Sequence, residues 1–336
     1  MSSTAFEGVV TTVPAPTPAF AKLARRQGWT VGVGLLFVAL LSWQIYLLPR
    51  FGDFQIRTIT AGTMPLAFIA MAQAVVVISG GIDLSVGAKM ALANCLAAMW
   101  MDGRGFGACL AIAVAVLVIS VVVSGLTGLA VIVTGVPDII VTLAAGFTIA
   151  GLALFVIGGP GGGTSIDFQH FVAGGLSDYR PSVLWTIGVL ALAWWPLRRS
   201  RVGLAISAVG SDRRAAFLSG VAVASTRVKA YALAGFFAGF AGLATTAITG
   251  GGDPRASYAN INTLNSVAAV VLGGVALTGG VGGLLGPVLA ALCLTLIPGI
   301  MLGLGVDPSN AETARGVIII LVVLVAGLLQ SRRRRA

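Results

Sequence analysis

Phe106-Gly-Ala-Cys-Leu-Ala-Ile-Ala-Val-Ala-Val-Leu-Val-Ile-Ser-Val-Val-Val-Ser-Gly-Leu-Thr-Gly-Leu-Ala-Val-Ile-Val-Thr134 runs for 29 residues without one Asp, Glu, Lys or Arg. About 20 such residues cross the hydrocarbon of a bilayer as a helix. Apolar runs of similar length recur on both sides of it, at Trp29–Leu48, Thr58–Ser79, Ile82–Met101, Asp138–Ile157, Pro181–Leu197, Ala230–Thr249, Ser266–Gly279, Leu284–Leu304 and Gly316–Gln330. The composition agrees: 57% of the 336 residues are hydrophobic and 10% are charged, against about 25% charged in an ordinary soluble domain. The expected fold is an all-α membrane protein of about ten transmembrane helices. Ser266–Gly279 is short and rich in glycine, which predicts a broken or re-entrant helix, buried in protein or lining a wet cavity.

Charge placement predicts the orientation. Lys22, Arg25 and Arg26 precede the first run, and Arg332, Arg333, Arg334 and Arg335 follow the last. By the positive-inside rule both termini lie in the cytoplasm. The loop 198–229 faces the same side and carries Arg198, Arg199, Arg201, Arg213, Arg214, Arg227 and Lys229. On this topology 14 of the 21 Lys and Arg residues are cytoplasmic, six are outside, and Lys89 lies in a span. The net charge of +10 is thus a topology signal. No basic run is interleaved with aromatics and no nucleic-acid motif occurs, so a nucleic-acid partner is not expected. Residues 1–28, rich in Ser, Thr, Pro and Ala over their first part, read as a disordered cytoplasmic tail. Residues 29–330 read as the transmembrane domain and 331–336 as a basic cytoplasmic tail. The first apolar run is long and lacks a small-residue cleavage site, so a cleavable signal peptide is not expected. Cys95, Cys109 and Cys293 lie in or beside apolar runs without CxxC spacing and read as buried hydrophobes.

Motifs of catalysis are missing. No GxxxxGK[ST] loop occurs, so ATP hydrolysis is not expected of this chain. The single histidine, His170, falls in an outer loop, no cluster of His, Cys and acids has metal-ligand spacing, and GxSxG is absent. Neither a metal nor any cofactor is expected in this chain. Gly161–Gly163 reads as a flexible outer loop.

Three segments carry the chemistry. Ser79-Gly80-Gly81-Ile82-Asp83-Leu84-Ser85-Val86-Gly87 interrupts two apolar runs. A carboxylate at membrane depth costs at least roughly 2.5–3.5 kcal/mol and needs a partner or water. Asp83 can N-cap a helix beginning at Leu84, with Ser85 close by, or contact a passing solute. Lys89 is six positions further, about 240° around a helix, and is expected to be a poor partner for Asp83. The second segment is Ala205–Gly220. Gly210-Ser211-Asp212 is a helix start signal and Gly220 a stop, so Arg213, Arg214, Ala215, Ala216 and Leu218 fall on a short helix with a small-residue face at Ala215, Ala216 and Ser219. Docking into a partner's groove and lying on lipid both suit it. The third, Asn265 to Gly283, contains Gly273-Gly274-Val275-Ala276-Leu277-Thr278, an echo of Gly80-Gly81-Ile82-Asp83-Leu84-Ser85. Glycine-interrupted internal repeats, here of a possible inverted kind, point to solute paths, and close helix packing explains the glycines as well. Asp83, Ser85, Asn94, Asn265, Gly273 and Gly274 are the candidates for the translocation path or its support.

These three segments, in this order over about residues 50–330, resemble the permease subunit of ribose-type bacterial ABC importers, which take up monosaccharides and related polyols. Gly80 to Gly87 resembles that family's signature. Ala208-Val209-Gly210 through Ala215-Ala216 to Leu218-Ser219-Gly220 resembles its coupling loop, and Ala268 to Gly280 its late glycine motif. Thr263 and Asn265 stand where the family commonly has an acidic pair, Lys89 where it is usually apolar, and Val281 where a basic residue is common. The resemblance implies an inner-membrane channel subunit, a homodimer or paired permease, that works by alternating access. It implies two ATPase subunits below, binding ATP–Mg and docked at Asp212–Gly220, and a periplasmic solute-binding protein above. The alternatives are a permease for another small solute, such as a branched-chain amino acid or nucleoside, and an ion-coupled carrier with Asp83 as its proton site.

Overall fold

Glycine brackets the longest apolar run on both sides: helix α4 spans Phe106–Thr134, with Gly105 before it and Gly135 at a left-handed φ of 65° after it. The computed structural model describes residues 19–175, 178–306, 313, 316 and 317. The other helices are α1 Ala19–Leu47, α2 Asp53–Ile78, α3 Val86–Met101, α5 Asp138–Val156, α6 Ile166–Val172, α7 Arg180–Arg199, α8 Arg201–Ser211, α9 Arg213–Leu218, α10 Val223–Thr249, α11 Ala256–Leu272 and α12 Leu285–Gly303. Among the described residues the only β pairing is one isolated bridge, Gly161 with Gly252.

The way α4 sorts its side chains shows the solvent it meets. Val114, Val118, Val122, Leu126 and Val133 are exposed, whereas Ser120, Ser124, Thr127 and Gly128 are buried. Large apolar residues outside and small polar ones inside invert the pattern of a water-soluble helix and match membrane packing, where small residues let backbones approach. The inner stripe meets α10. Ser124 Oγ donates to the Tyr231 carbonyl at 2.6 Å, and a Cβ at Gly128 would lie 2.6 Å from Tyr231 Cβ. Helices α2, α3 and α10 form the centre, with α1, α4, α5, α7, α11 and α12 around them.

This is an all-α membrane protein, but the expected count of about ten spans is not what the helices themselves support. Among the described residues six are long and apolar enough to cross: Gly28–Leu47 within α1, α2, α4, α5, α10 and α12. α3 has 16 residues and α11 has 17, while α7 carries three tryptophans and ends on Arg198 and Arg199. The run Gly316–Gln330 lies, apart from its first two residues, outside the described residues. Of the disordered stretch expected over 1–28, residues 19–28 belong to α1 instead, and residues 1–18 lie outside the described residues. Gly161–Gly163 is not a loose loop either: Gly161 pairs with Gly252, and Gly163 N donates to the Ala98 carbonyl at 2.9 Å.

Two breaks interrupt the central helices and are built alike. After α2, Gly80 N donates to the Val77 carbonyl and Gly81 N to that of Val76. After α11, Gly274 N donates to Val271 and Val275 N to Val270. Both are Schellman terminations, with Gly80 at φ 80° and Gly274 at φ 79° in the left-handed position only glycine takes at no cost. The two glycine pairs thus end their helices in the same way, with the match offset by one residue: Gly274, not Gly273, takes the place of Gly80.

Candidate functional site

The break after α2 places Asp83 off the helix, because α3 begins at Val86 rather than Leu84. Asp83 is not a helix cap. Its Oδ1 accepts from Ser85 N at 2.9 Å and from Ser85 Oγ, and its Oδ2 receives Lys89 Nζ at 2.6 Å. The expectation that Lys89 is a poor partner fails for the same reason: the angular argument requires both residues on one helix, and only Lys89 is on it. Both side chains are fully enclosed.

Other helices lock this segment. Thr142 Oγ1 on α5 accepts from Leu84 N at 3.1 Å, and Thr263 Oγ1 on α11 accepts from Gly87 N at 3.1 Å. Thr263, one of the departures from the resembled family, thus anchors the start of α3. A second ion pair lies alongside, Arg227 on α10 with Asp138 at the start of α5. Tyr231 joins the two: its hydroxyl donates to Asp138 Oδ2 at 3.4 Å and its ring lies 5.5 Å from Lys89 Nζ. Two carboxylates and two cations share one neutral cluster around a tyrosine, which is how charge is tolerated at membrane depth. Asp138, Arg227 and Tyr231 were not singled out by sequence. Their signal was the opposite charge of two span edges 89 positions apart, which sequence alone does not pair.

The remaining path candidates lie apart. Asn94 is wholly buried toward the other end of α3. Its Nδ2 donates to Thr246 Oγ1 and the Gly251 carbonyl, each at 2.9 Å, and its Oδ1 accepts from Asp253 N at 2.9 Å. It clamps the α10–α11 turn, where Arg255 holds the Asp253 carboxyl below the usual carboxylate range. Asn265 is buried on α11. Gly273 faces the start of α12, where a Cβ would lie 2.3 Å from Pro287 N, and Gly274 lies against the Trp29 ring. Trp29 Nε1 also donates to the Leu272 carbonyl at 2.7 Å. Gln73 on α2, also not singled out, is fully buried, and among the described residues neither of its amide atoms has a partner. Native structures leave few such groups.

The coupling segment folds as two helices hinged at Asp212, whose Oδ1 caps α9 by accepting from Arg214 N at 2.8 Å and Ala215 N at 2.9 Å. Gly220 ends it at φ 81°. The expected small-residue face is half corrected. Ala215 is exposed, but Ala216 is buried within its own chain, while Phe217 and Leu218 are 70% and 77% exposed. The outward surface is therefore the apolar pair. Inward, the segment joins both breaks. Arg213 Nη2 donates to the Gly80 carbonyl at 2.9 Å, and Gly280 N donates to the Ile78 carbonyl at 2.9 Å. A Cβ on Gly210 would lie 1.8 Å from that carbonyl oxygen and 2.6 Å from Gly280 N. All three sequence motifs meet at Gly210.

The family model for the permease component of branched-chain amino acid transport systems matches residues 55–326. The chain belongs to this family. The permease is 31% identical over 264 residues to the ribose import permease protein of Escherichia coli K12, covering 77% of this chain and 81% of that one. To the ribose import permease protein of Bacillus subtilis it is 33% identical over 261 residues, 76% and 80% of the two chains. To the galactose/methyl galactoside import permease protein of E. coli K12 it is 28% identical over 322 residues, 90% and 95%. No solved structure gives a significant match. The permease is thus a multi-pass membrane transport component of an ABC importer, and the ATPase activity belongs to a separate subunit.

Proposed function

We propose that this permease carries a monosaccharide or related polyol into the cytoplasm by alternating access, with ATP–Mg bound by partner subunits that dock on α9. The observation that carries the docking reading is the two-sidedness of α9. It offers Phe217 and Leu218 outward while its Arg213, with Gly210 at the end of α8, ties the segment to the breaks beside the Asp83 cluster. Exposed aromatic and aliphatic anchors suit a partner groove, and the inner contacts give its motion a short route into the membrane.

In this reading α3, α7 and α11 cross the membrane with the six helices named above, and Gly316–Gln330 makes the tenth span. Both termini and 198–229 are cytoplasmic, two copies form the pore, and a periplasmic solute-binding protein docks on the opposite face. The sugar assignment rests on the ribose and galactose permeases to which the chain is similar. An ion-coupled carrier is disfavoured because Asp83, its proton site, is held by Lys89 and Ser85.

Phe217→Ala with Leu218→Ala tests the reading. Both positions are exposed, so insertion and thermal stability are expected to stay unchanged. Affinity for the co-expressed ATPase is expected to fall about 30-fold or more, as for loss of an interface hot spot. Uptake of labelled ribose or galactose by the reconstituted complex is expected to fall with it. Accumulation of sugar by the permease alone on a proton gradient, or uptake of leucine but no sugar, overturns the assignment.

A further inference from the structure

Outside the central cluster, a groove of about 840 Å3 runs along α7, lined by Trp185, Gly188, Leu192, Leu197, Ser200 and Phe240 among others. That volume suits a small-molecule ligand, and the lining is almost wholly apolar. In water it would be a peptide or ligand cleft; on the flank of a membrane helix its surroundings are acyl chains.

One end of the groove is chemically distinct. Its last lining residues, Leu197 and Ser200, are flanked by Arg198, Arg199 and Arg201, all exposed. Among the described residues none of these arginines is ion-paired to a carboxylate, since the ion pairs present involve Lys89, Arg227 and Arg255. Two of them are held in place by stacking, with the Arg198 guanidinium 6.0 Å from the Trp194 ring and that of Arg199 4.6 Å from the Trp195 ring. Tryptophans collect at the headgroup level of bilayers, so these rings set the arginines where phosphates lie. A pre-positioned, uncompensated basic rim at the mouth of an apolar groove is complementary to a molecule with an anionic head and a hydrocarbon tail.

We infer that this groove holds an acyl chain of an anionic phospholipid whose phosphate is bound by Arg198, Arg199 and Arg201. The inference rests on the reading above that α7 crosses the membrane, and the topology of that reading assigns the site to the cytoplasmic leaflet. Because α7 leads directly into α8 and α9, a lipid seated here braces the base of the coupling segment.

Native mass spectrometry of the permease released from nanodiscs of equal phosphatidylglycerol and phosphatidylethanolamine tests the site. Phosphatidylglycerol is expected to be retained preferentially, and Arg198→Gln with Arg199→Gln to lower that preference by roughly fivefold for each arginine. Gly188→Trp fills the groove from a position where an added Cβ meets nothing within 4 Å, and is expected to reduce retained lipid of both kinds. Leu192→Gln, at a 78% exposed position, repeats that test without bulk should Gly188→Trp fail to fold. Equal retention of the two lipids by the wild type, or a preference unmoved by the arginine substitutions, overturns the inference. So does cross-linking of Leu192→Cys to a second copy or to residues 318–330 in the native membrane, because the groove is then already filled by protein.

Discussion

Lys89 reaches back over the break between α2 and α3 to Asp83, setting Nζ 2.6 Å from Oδ2 with both side chains shut off from their surroundings. Breaking a buried pair by removing one partner costs roughly 3–5 kcal/mol, because the other charge is left uncompensated. Lys89→Met is therefore expected to lower the thermal midpoint of the detergent-purified permease sharply. Asp83→Asn combined with Lys89→Met keeps the acceptor for Ser85 while removing both charges, and is expected to recover most of the loss. A double variant as unstable as the sum of the singles shows that the two charges are not coupled.

Gly210 is a site where one methyl group matters. A Cβ there would lie 1.8 Å from the Ile78 carbonyl oxygen, so Gly210→Ala must push the coupling segment off the first break. Overpacking of this kind costs about 1–3 kcal/mol. The permease is expected to insert and bind its ATPase, while solute-stimulated ATP hydrolysis falls; wild-type stimulation by the Ala variant would show that the contact transmits nothing.

Gln73 tests for the solute itself. An amide buried without partners is destabilising by roughly 1–3 kcal/mol, so Gln73→Leu is expected to raise the thermal midpoint. If the amide is kept to bind hydroxyl groups of a solute when the path opens, the same variant loses uptake. Greater stability with unchanged uptake removes Gln73 from the path.

The proposed orientation is checked by labelling single cysteines in a cysteine-free background. Arg214 and Ile166 are both exposed at the surface. An impermeant maleimide applied to intact cells is expected to label Ile166→Cys and leave Arg214→Cys unreactive. The reverse pattern inverts the topology.

What the sequence reveals here follows from how local each cause is. The ends of α4 are legible because Gly105 and Gly135 bracket a run with no competing charge. The start of α9 is legible because Asp212 caps it within three residues. Its outward face is not, since a helix of six residues is too short for periodicity to show which side meets its own chain. The Asp83–Lys89 pair was missed through an error of two residues in the start of α3. The repeat register was off by one because Gly80-Gly81 and Gly273-Gly274 look alike on paper and differ only in which glycine takes positive φ. The Asp138–Arg227 pair joins the starts of α5 and α10 across 89 positions of sequence, which no local pattern encodes.

The junction at Gly210 also sets the terms on which this permease could be rewired to a foreign ATPase. Gly210 and Arg213 answer to the membrane breaks, and Ala216 to the body of the chain. That leaves positions 214, 215, 217 and 218 as the exchangeable part. A chimera that transplants the whole loop would replace the hinge together with the handle, whereas grafting those four side chains onto the native backbone changes which motor grips without altering what it moves.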